Sequence, residues 1–68
     1  MKPVSGKRMC RILNKQGWVL VRIRNSHHAF KKDGVSNMIV VPVHGNKDLK
    51  PGTQHDIMKD AGLTEGDL

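Results

Sequence analysis

Three short segments rich in β-branched and aromatic residues lie between positions 18 and 43, and they constrain the fold more than any other feature of the chain. Turn-forming pairs separate them. Asn25-Ser26 follows the first segment, and Asp33-Gly34, which Ser36-Asn37 prolongs, follows the second. The predicted strands are residues 18–23, 28–32 and 38–43. Because connections this short join neighbouring antiparallel strands, the pattern predicts a three-stranded meander.

A helical pattern lies on each side of these strands. Ser5 is a suitable N-cap for the first helix, and Gly17 is a natural residue to end it. Thr53 is the predicted N-cap of the second helix, which ends at Gly62. Residues 64–67 predict either another short capped turn or a frayed end. The apolar positions at helical spacing are Met9, Ile12 and Leu13 in the first helix and Ile57, Met58 and Ala61 in the second.

The order of helix, three strands and helix predicts an α+β fold in which both helices pack on one face of a three-stranded antiparallel sheet. A chain of 68 residues supports one small domain, residues 1–68. Pro42 cannot donate a backbone hydrogen bond, so we expect its strand to end or to lie at a sheet edge there. The predicted core is formed by Met9, Ile12, Leu13, Trp18, Phe30, Ile57 and the strand valines.

The charge balance favours an anionic partner. The chain has 12 Lys and Arg against 6 Asp and Glu, which is a formal net charge of +6. Nucleic acid is the leading candidate and an acidic protein the next. A membrane surface comes third, because the chain has no long basic amphipathic helix with bulky apolar residues. Since Trp18 and Phe30 are the only aromatic residues, binding of RNA is expected to depend on phosphate contacts with weak sequence preference.

Cysteine usage and hydropathy bear on the compartment. Cys10 is the only cysteine, so the chain forms no internal disulfide, which fits a reducing, intracellular setting. No apolar run approaches the roughly 20 residues of a membrane span. The N-terminus has basic residues but lacks the apolar core of a signal peptide. We therefore expect a cytoplasmic protein.

Histidine is the residue type that points to catalysis. Its ordinary pKa of about 6.5 lets it take or give a proton near neutral pH, and cleavage of RNA through the 2′-hydroxyl needs both kinds of transfer. His27 lies just past the first predicted strand, where a loop can present it to a groove, and Ser26 can orient it or contact phosphate. Adjacent strand residues point to opposite faces, so His28 should not share its site. His44 is expected to be a polar turn residue and His55 a surface residue of the second helix.

Several basic residues can hold the phosphate chain. Lys47 and Lys50 precede the second helix, where free backbone N–H groups near Thr53 attract anions. Arg22 and Arg24, with Lys31 and Lys32, flank His27 on or beside strands. Each of these sets has the alternative of an ordinary solvent-exposed surface. The scattered histidines and Cys10 show no metal-ligand spacing, so no metal site is expected.

Several sequence motifs together resemble one known family. They are SGK at residues 5–7, GW at 17–18, VLVR at 19–22, SHHAF at 26–30, the DG turn, VPVHGNKDLKPGT at 41–53 and DAGLT at 60–64. The chain resembles HicA-type mRNA interferase toxins, also called the YcfA-like family, over nearly its whole length. The resemblance implies a fold similar to double-stranded-RNA-binding domains, ribonuclease activity on mRNA, and a HicB antitoxin that masks the active site.

The family motif Gly-Ser-His assigns the catalytic role to His27 and to no other histidine of this chain. No metal or cofactor is expected in this scheme, because the nucleophile belongs to the RNA. Asn25 stands where the family usually has glycine, and asparagine tolerates the left-handed backbone better than most residues, so the turn is expected to survive. Gln54-His55 replaces an apolar residue followed by a basic one, which predicts slightly weaker packing or phosphate contact in the second helix.

Two other functions remain open from the sequence. In the first, the protein is a non-catalytic RNA-binding module in which His27 only contacts phosphate. In the second, it is a protein-interaction domain whose basic face serves an acidic antitoxin. Whether the free protein binds RNA, and whether it cleaves the RNA, distinguishes these two functions from that of a nuclease.

Overall fold

A computed structural model describes residues 1–68 and shows a helix, three strands and a helix in that order. The strands form one antiparallel sheet in the order β1-β2-β3, so β2 is central and both β1 and β3 are edges. This confirms the α+β fold and the position of Pro42 at the end of an edge strand. The elements are α1 (Gly6–Lys15), β1 (Val19–Arg24), β2 (His27–Lys32), β3 (Val35–Pro42), α2 (Pro51–Ala61) and a 3-10 helix (Glu65–Asp67).

The ends of α1 follow the predicted capping. The Ser5 hydroxyl accepts a hydrogen bond from the Arg8 backbone N–H at 3.1 Å, which satisfies one free donor of the first turn. Gly17 follows the last turn with φ of +93°, a conformation that favours glycine. Gly6 lies against β3, because a Cβ there would overlap the carbonyl oxygen of Pro42. The first turn of α1 therefore lies in close contact with the end of β3.

Several strand boundaries differ from the prediction. β1 is Val19–Arg24 rather than residues 18–23, and β3 ends at Pro42 rather than at Val43. β2 begins at His27 rather than after it, so His27 is a strand residue and not a loop residue. β3 begins at Val35 and includes Ser36 and Asn37, which were predicted to prolong the loop. The reason is the Asp33-Gly34 turn, which pairs Lys32 directly with Val35, so that β3 starts there. Ser36 and Asn37 follow in the strand, where the register with β2 is irregular.

The predicted start of α2 is also wrong. The helix begins at Pro51, with Lys50 as N-cap, and no side chain caps it. Thr53 is therefore inside the first turn, because the fixed φ of proline is already suited to the first helical position. Gln54 is buried, accepts a hydrogen bond from the Val4 N–H at 3.2 Å and donates one to the Lys2 carbonyl at 2.6 Å. It joins the N-terminal segment to α2 by hydrogen bonds.

One apolar cluster lies between the two helices and one face of the sheet. All six individually predicted core residues belong to it, but of the strand valines only Val41 does. Val19, Val21, Val35 and Val40 are exposed, because they lie on the open face or along an uncovered edge. The other members, which the patterns did not single out as core, are Val4, Ile39, Leu49, Met58 and Leu68.

The C-terminal turn is capped rather than frayed. The Asp67 carboxylate accepts a hydrogen bond from the Thr64 backbone N–H at 2.7 Å, which completes a capping box. The Arg8 guanidinium donates to the Leu68 carbonyl at 2.8 Å. This segment therefore packs back onto α1. None of the helices has the length and apolar character needed to cross a membrane.

Candidate functional site

Strand β2 divides its side chains between two faces of the sheet. Phe30 lies in the core beneath the helices, so His28 shares that inner face and His27 lies on the opposite, outer face. Ala29 also lies on the outer face, yet it is only 2% exposed and lies outside the core cluster. Neighbouring outer-face side chains cover it, which identifies this part of the face as a depression rather than a flat surface.

Two arginines of β1 lie beside His27. Arg24 is paired with His27 and Arg22 with Ala29, so both arginines share the outer face with the histidine. The ladder is irregular between Leu20 and Arg22, and this shift brings Arg22 opposite Ala29. Arg22, Arg24, His27, Ala29 and Val40 line a depression of about 220 Å³. We call this region of the outer face the His27 end.

The turn before His27 is formed by Asn25 and Ser26. Asn25 has φ of +55°, which confirms that asparagine takes the left-handed conformation expected of the family glycine. The Ser26 carbonyl accepts a hydrogen bond from the Val43 N–H at 2.7 Å, and Ser26 is half-buried. The turn is therefore held against the end of β3, and it fixes the position of His27 as the first residue of β2.

Lys47 and Lys50 lie in a second depression, of about 380 Å³, at the first turn of α2. It is lined by Pro42, His44, Lys47, Asp48, Leu49, Lys50 and Thr53. Pro42 is the direct cross-strand partner of His27. The two predicted groups of cations are therefore in separate depressions that adjoin at the His27–Pro42 pair.

The cations of both depressions lack carboxylate partners. The ion pairs of the structure are those of the N-terminal amine with Glu65, at 3.7 Å, and of His55 with Asp56, at 3.8 Å. Asp48 lines the second depression but forms no ion pair there. Arg22, Arg24, Lys47 and Lys50 are all exposed. Their charge is therefore uncompensated, which favours an anionic ligand across this surface.

The opposite end of the sheet is also basic, with Lys31 on the outer face and Lys32 on the inner one. Lys31 and Lys32 adjoin a depression of about 620 Å³ near the Asp33-Gly34 turn. The Lys32 ammonium nitrogen is 6.0 Å from the centre of the Trp18 ring, so this lysine covers a core residue. We call this region the lysine end. Its lining contains no histidine.

The remaining candidate groups are poorly placed for catalysis at the His27 end. His28 is half-buried on the inner face, and its Nδ1 atom is buried without a hydrogen-bond partner. Burial raises the pKa of the Cys10 thiol, which keeps it protonated and unreactive. No three His, Cys, Asp or Glu side chains converge in the structure.

The arrangement suits acid–base chemistry on a phosphodiester. His27 supplies an imidazole that reaches solvent, and the arginines supply donors that match phosphate oxygens. His44 is the residue of this surface that sequence reasoning placed only in a turn. The available signal was its spacing of two residues from Pro42, which continues the strand alternation beyond β3.

Comparison with known proteins assigns the chain to a family. A search of curated proteins found no match. The model of the family described as HicA toxin of bacterial toxin–antitoxin systems matches residues 6–63. This range includes both helices, the whole sheet and both depressions of the site. The chain therefore belongs to the HicA toxin family of bacterial toxin–antitoxin systems.

Proposed function

We propose that this toxin is an endoribonuclease that cleaves mRNA with His27 as a catalytic acid or base. The observation that carries the proposal is the position of His27, exposed on the outer face and paired with Arg24 in a depression that also contains Arg22. An imidazole there can exchange a proton with the ribose or the leaving oxygen while the guanidinium groups hold the phosphate.

The chemistry uses groups that RNA itself provides. The 2′-hydroxyl loses a proton and its oxygen attacks the adjacent phosphorus. The bond from phosphorus to the 5′-oxygen breaks, and that oxygen gains a proton. The products are a 2′,3′-cyclic phosphate and a 5′-hydroxyl. Because the nucleophile belongs to the substrate, the scheme requires neither a metal nor a cofactor.

The RNA backbone is expected to cross both depressions at this end of the sheet. Arg22 and Arg24 contact phosphates on one side of His27, and Lys47 and Lys50 contact them on the other. Ser26, in the turn that precedes β2, contacts phosphate or orients the histidine. The scarcity of aromatic side chains on this face supports recognition of the phosphate chain rather than of stacked bases.

The proposal is tested by incubating purified wild type and His27→Ala with an mRNA transcript in EDTA. We expect wild type to cleave and His27→Ala to lose cleavage while its circular dichroism spectrum is unchanged. His55→Ala is the matched control, because His55 is an exposed histidine on α2. Salt-sensitive binding without cleavage by wild type would instead establish a non-catalytic RNA-binding module.

A toxin of this family has an antitoxin partner. We propose that the partner is a HicB-type protein and that it covers the His27 end. The net charge of +6 favours an acidic partner. The free edge strand β1 adds apolar contact area, because Val19, Leu20, Val21 and Ile23 are 40–60% exposed. Because mRNA is the proposed substrate, we place the protein in the cytoplasm.

The antitoxin contact is tested with Ile23→Asp, which puts a carboxylate on the exposed apolar part of β1. We expect binding of a purified HicB-type antitoxin to weaken at least about tenfold, while RNA cleavage continues. Val35→Asp is the control, because Val35 is an exposed valine at the lysine end. Equal binding by both variants would show that β1 is not the contact.

A further inference from the structure

The proposed cleavage needs two proton transfers, and the His27 depression supplies one suitable group. Besides His27, its lining consists of Arg22, Arg24, Ala29 and Val40. Arginine stays protonated in proteins and cannot take a proton, and the other two side chains are apolar. A second group that titrates near neutral pH must therefore come from an adjoining element.

The strand register brings His44 to this position. His27 is paired with Pro42, and the hydrogen bond from the Val43 N–H to the Ser26 carbonyl continues the pairing by one residue. Val43 is half-buried against the core, so the residues on either side of it face outward. His44 is therefore a diagonal neighbour of His27. The Cα atoms of diagonal neighbours across an antiparallel pair lie about 7–8 Å apart. At that spacing, two imidazoles can reach oxygens on opposite sides of one phosphorus atom.

The surroundings of His44 also favour a role at phosphate. His44 is exposed and lines the second depression with Pro42. Its carbonyl accepts a hydrogen bond from the Lys47 N–H at 3.0 Å, which closes a turn and holds the loop. The charged residues of this depression are Lys47, Asp48 and Lys50, and Arg24 is the charged residue paired with His27 on the far side. The other two histidines lie elsewhere: His28 is on the inner face of the sheet, and His55 is exposed on α2.

We propose that His44 is the second proton-transfer residue of the site. The inference rests on the proposed ribonuclease function and deepens it. One of the two histidines removes the proton from the 2′-hydroxyl, and the oxygen attacks phosphorus. As the bond to the 5′-oxygen breaks, the other histidine donates a proton to that oxygen. Water then returns both histidines to their starting protonation states by exchanging one proton with each.

The test measures single-turnover cleavage from pH 5 to 9. The substrate is a short oligoribonucleotide that wild type cleaves at one known linkage. We expect His44→Ala to slow cleavage by about 10²–10⁴-fold and to remove one limb of a bell-shaped pH–rate profile, as loss of a general acid or base does. His55→Ala is the matched control and should keep both limbs. Thermal unfolding of each variant verifies that the fold is intact.

A second substrate separates proton donation from phosphate binding. Replacing the 5′-oxygen of the cleaved linkage by sulfur gives a leaving group that needs no protonation. We expect this substrate to restore cleavage in one of the two variants, His27→Ala or His44→Ala, and thereby to identify the acid. Lys47→Ala is the comparison for a phosphate contact. It should weaken binding while leaving both limbs of the pH profile.

The outcomes distinguish this inference from the proposed function. If His44→Ala keeps wild-type rates, or loses only affinity with both limbs retained, the role of His44 is overturned and the nuclease assignment stands. Failure of the sulfur substrate to restore either variant also overturns it. If His27→Ala cleaves like wild type, or if wild type does not cleave, the proposed function itself is wrong.

Discussion

The His27 end and the lysine end of the sheet each place two cations beside a depression. At the His27 end, both arginines lack ion-pair partners and flank an exposed imidazole. At the lysine end, Lys32 covers Trp18, and no histidine lines the depression. The larger volume is at the lysine end, so volume and charge do not identify the site. The histidine does, because the cations of both ends lack ion-pair partners and only the His27 end has an imidazole beside them.

The largest expected difference between the two ends is in cleavage. His27→Ala should lower the rate of RNA cleavage by at least about 10²-fold, because it removes a proton-transfer group. Lys31→Ala, at the other end, should leave the rate within about twofold, since a single exposed lysine there contacts no reacting atom. Cleavage of a labelled transcript under matched conditions measures both. A comparable loss in the two variants would remove the distinction between the ends.

The second difference is in stability. Gly6→Ala should lower the free energy of unfolding by about 2–3 kcal/mol, because the added Cβ overlaps the backbone of Pro42 and forces the helix away from β3. Gly34→Ala at the lysine end meets no atoms within 4 Å and strains only a backbone with φ of +80°, which costs about 1 kcal/mol. Urea denaturation measures both values. If Gly6→Ala lowers the free energy of unfolding less than Gly34→Ala does, the close contact of α1 with β3 does not stabilise the His27 end.

The third difference concerns binding of RNA. The double variant Arg22→Ala/Arg24→Ala should reduce the slope of log affinity against log salt by about 1.4, if each arginine neutralises one phosphate of a single strand. Lys31→Ala/Lys32→Ala removes the same charge and is the matched control, for which we expect less than half that change. The measurement is a fluorescence titration of His27→Ala protein, which binds without cleaving, over a range of salt. Equal slopes in the two double variants would show that net charge alone governs binding.

The smallest effect sharpens the role of the turn that presents His27. Asn25→Val should destabilise the protein by about 1–2 kcal/mol, because a β-branched residue is strained at φ of +55°. Asn25→Gly, which restores the family residue, should change stability by less than about 1 kcal/mol and retain cleavage. Thermal unfolding and the transcript assay are the readouts. Equal stability of the two variants would show that the turn does not depend on the left-handed conformation.

Much of the fold could be predicted from local patterns. Ser5 and Gly17 mark the ends of α1, and the two turn pairs mark the hairpins, because capping and turn conformations depend on a few adjacent residues. The same local rule placed His27 and His28 on opposite faces. The errors were also local. Ser36 and Asn37 resemble loop residues, but the two-residue turn before them starts β3 at Val35, so both belong to the strand.

The candidate site was less predictable, because its parts come from distant positions. Arg24 and His27 meet through the register of β1 and β2, which an irregularity near Val21 adjusts. Lys47 adjoins them only because β3 ends opposite the start of β2. His44 was expected to be a turn residue, because it follows the predicted end of the third strand, and its position near His27 depends on how β3 pairs with β2.

The sequence by itself determined the order of the elements, both ends of α1, the end of α2, the excess positive charge and the presence of a histidine beside a tight turn. Short-range steric and hydrogen-bonding preferences specify these features. Only the tertiary structure decided which sheet face the helices cover. That choice buried Val41 and left Val40 exposed, and it placed His27 with the arginines on the open face. The physical reason is that alternation along a strand defines two faces, whereas helix packing and cross-strand register decide what each face meets.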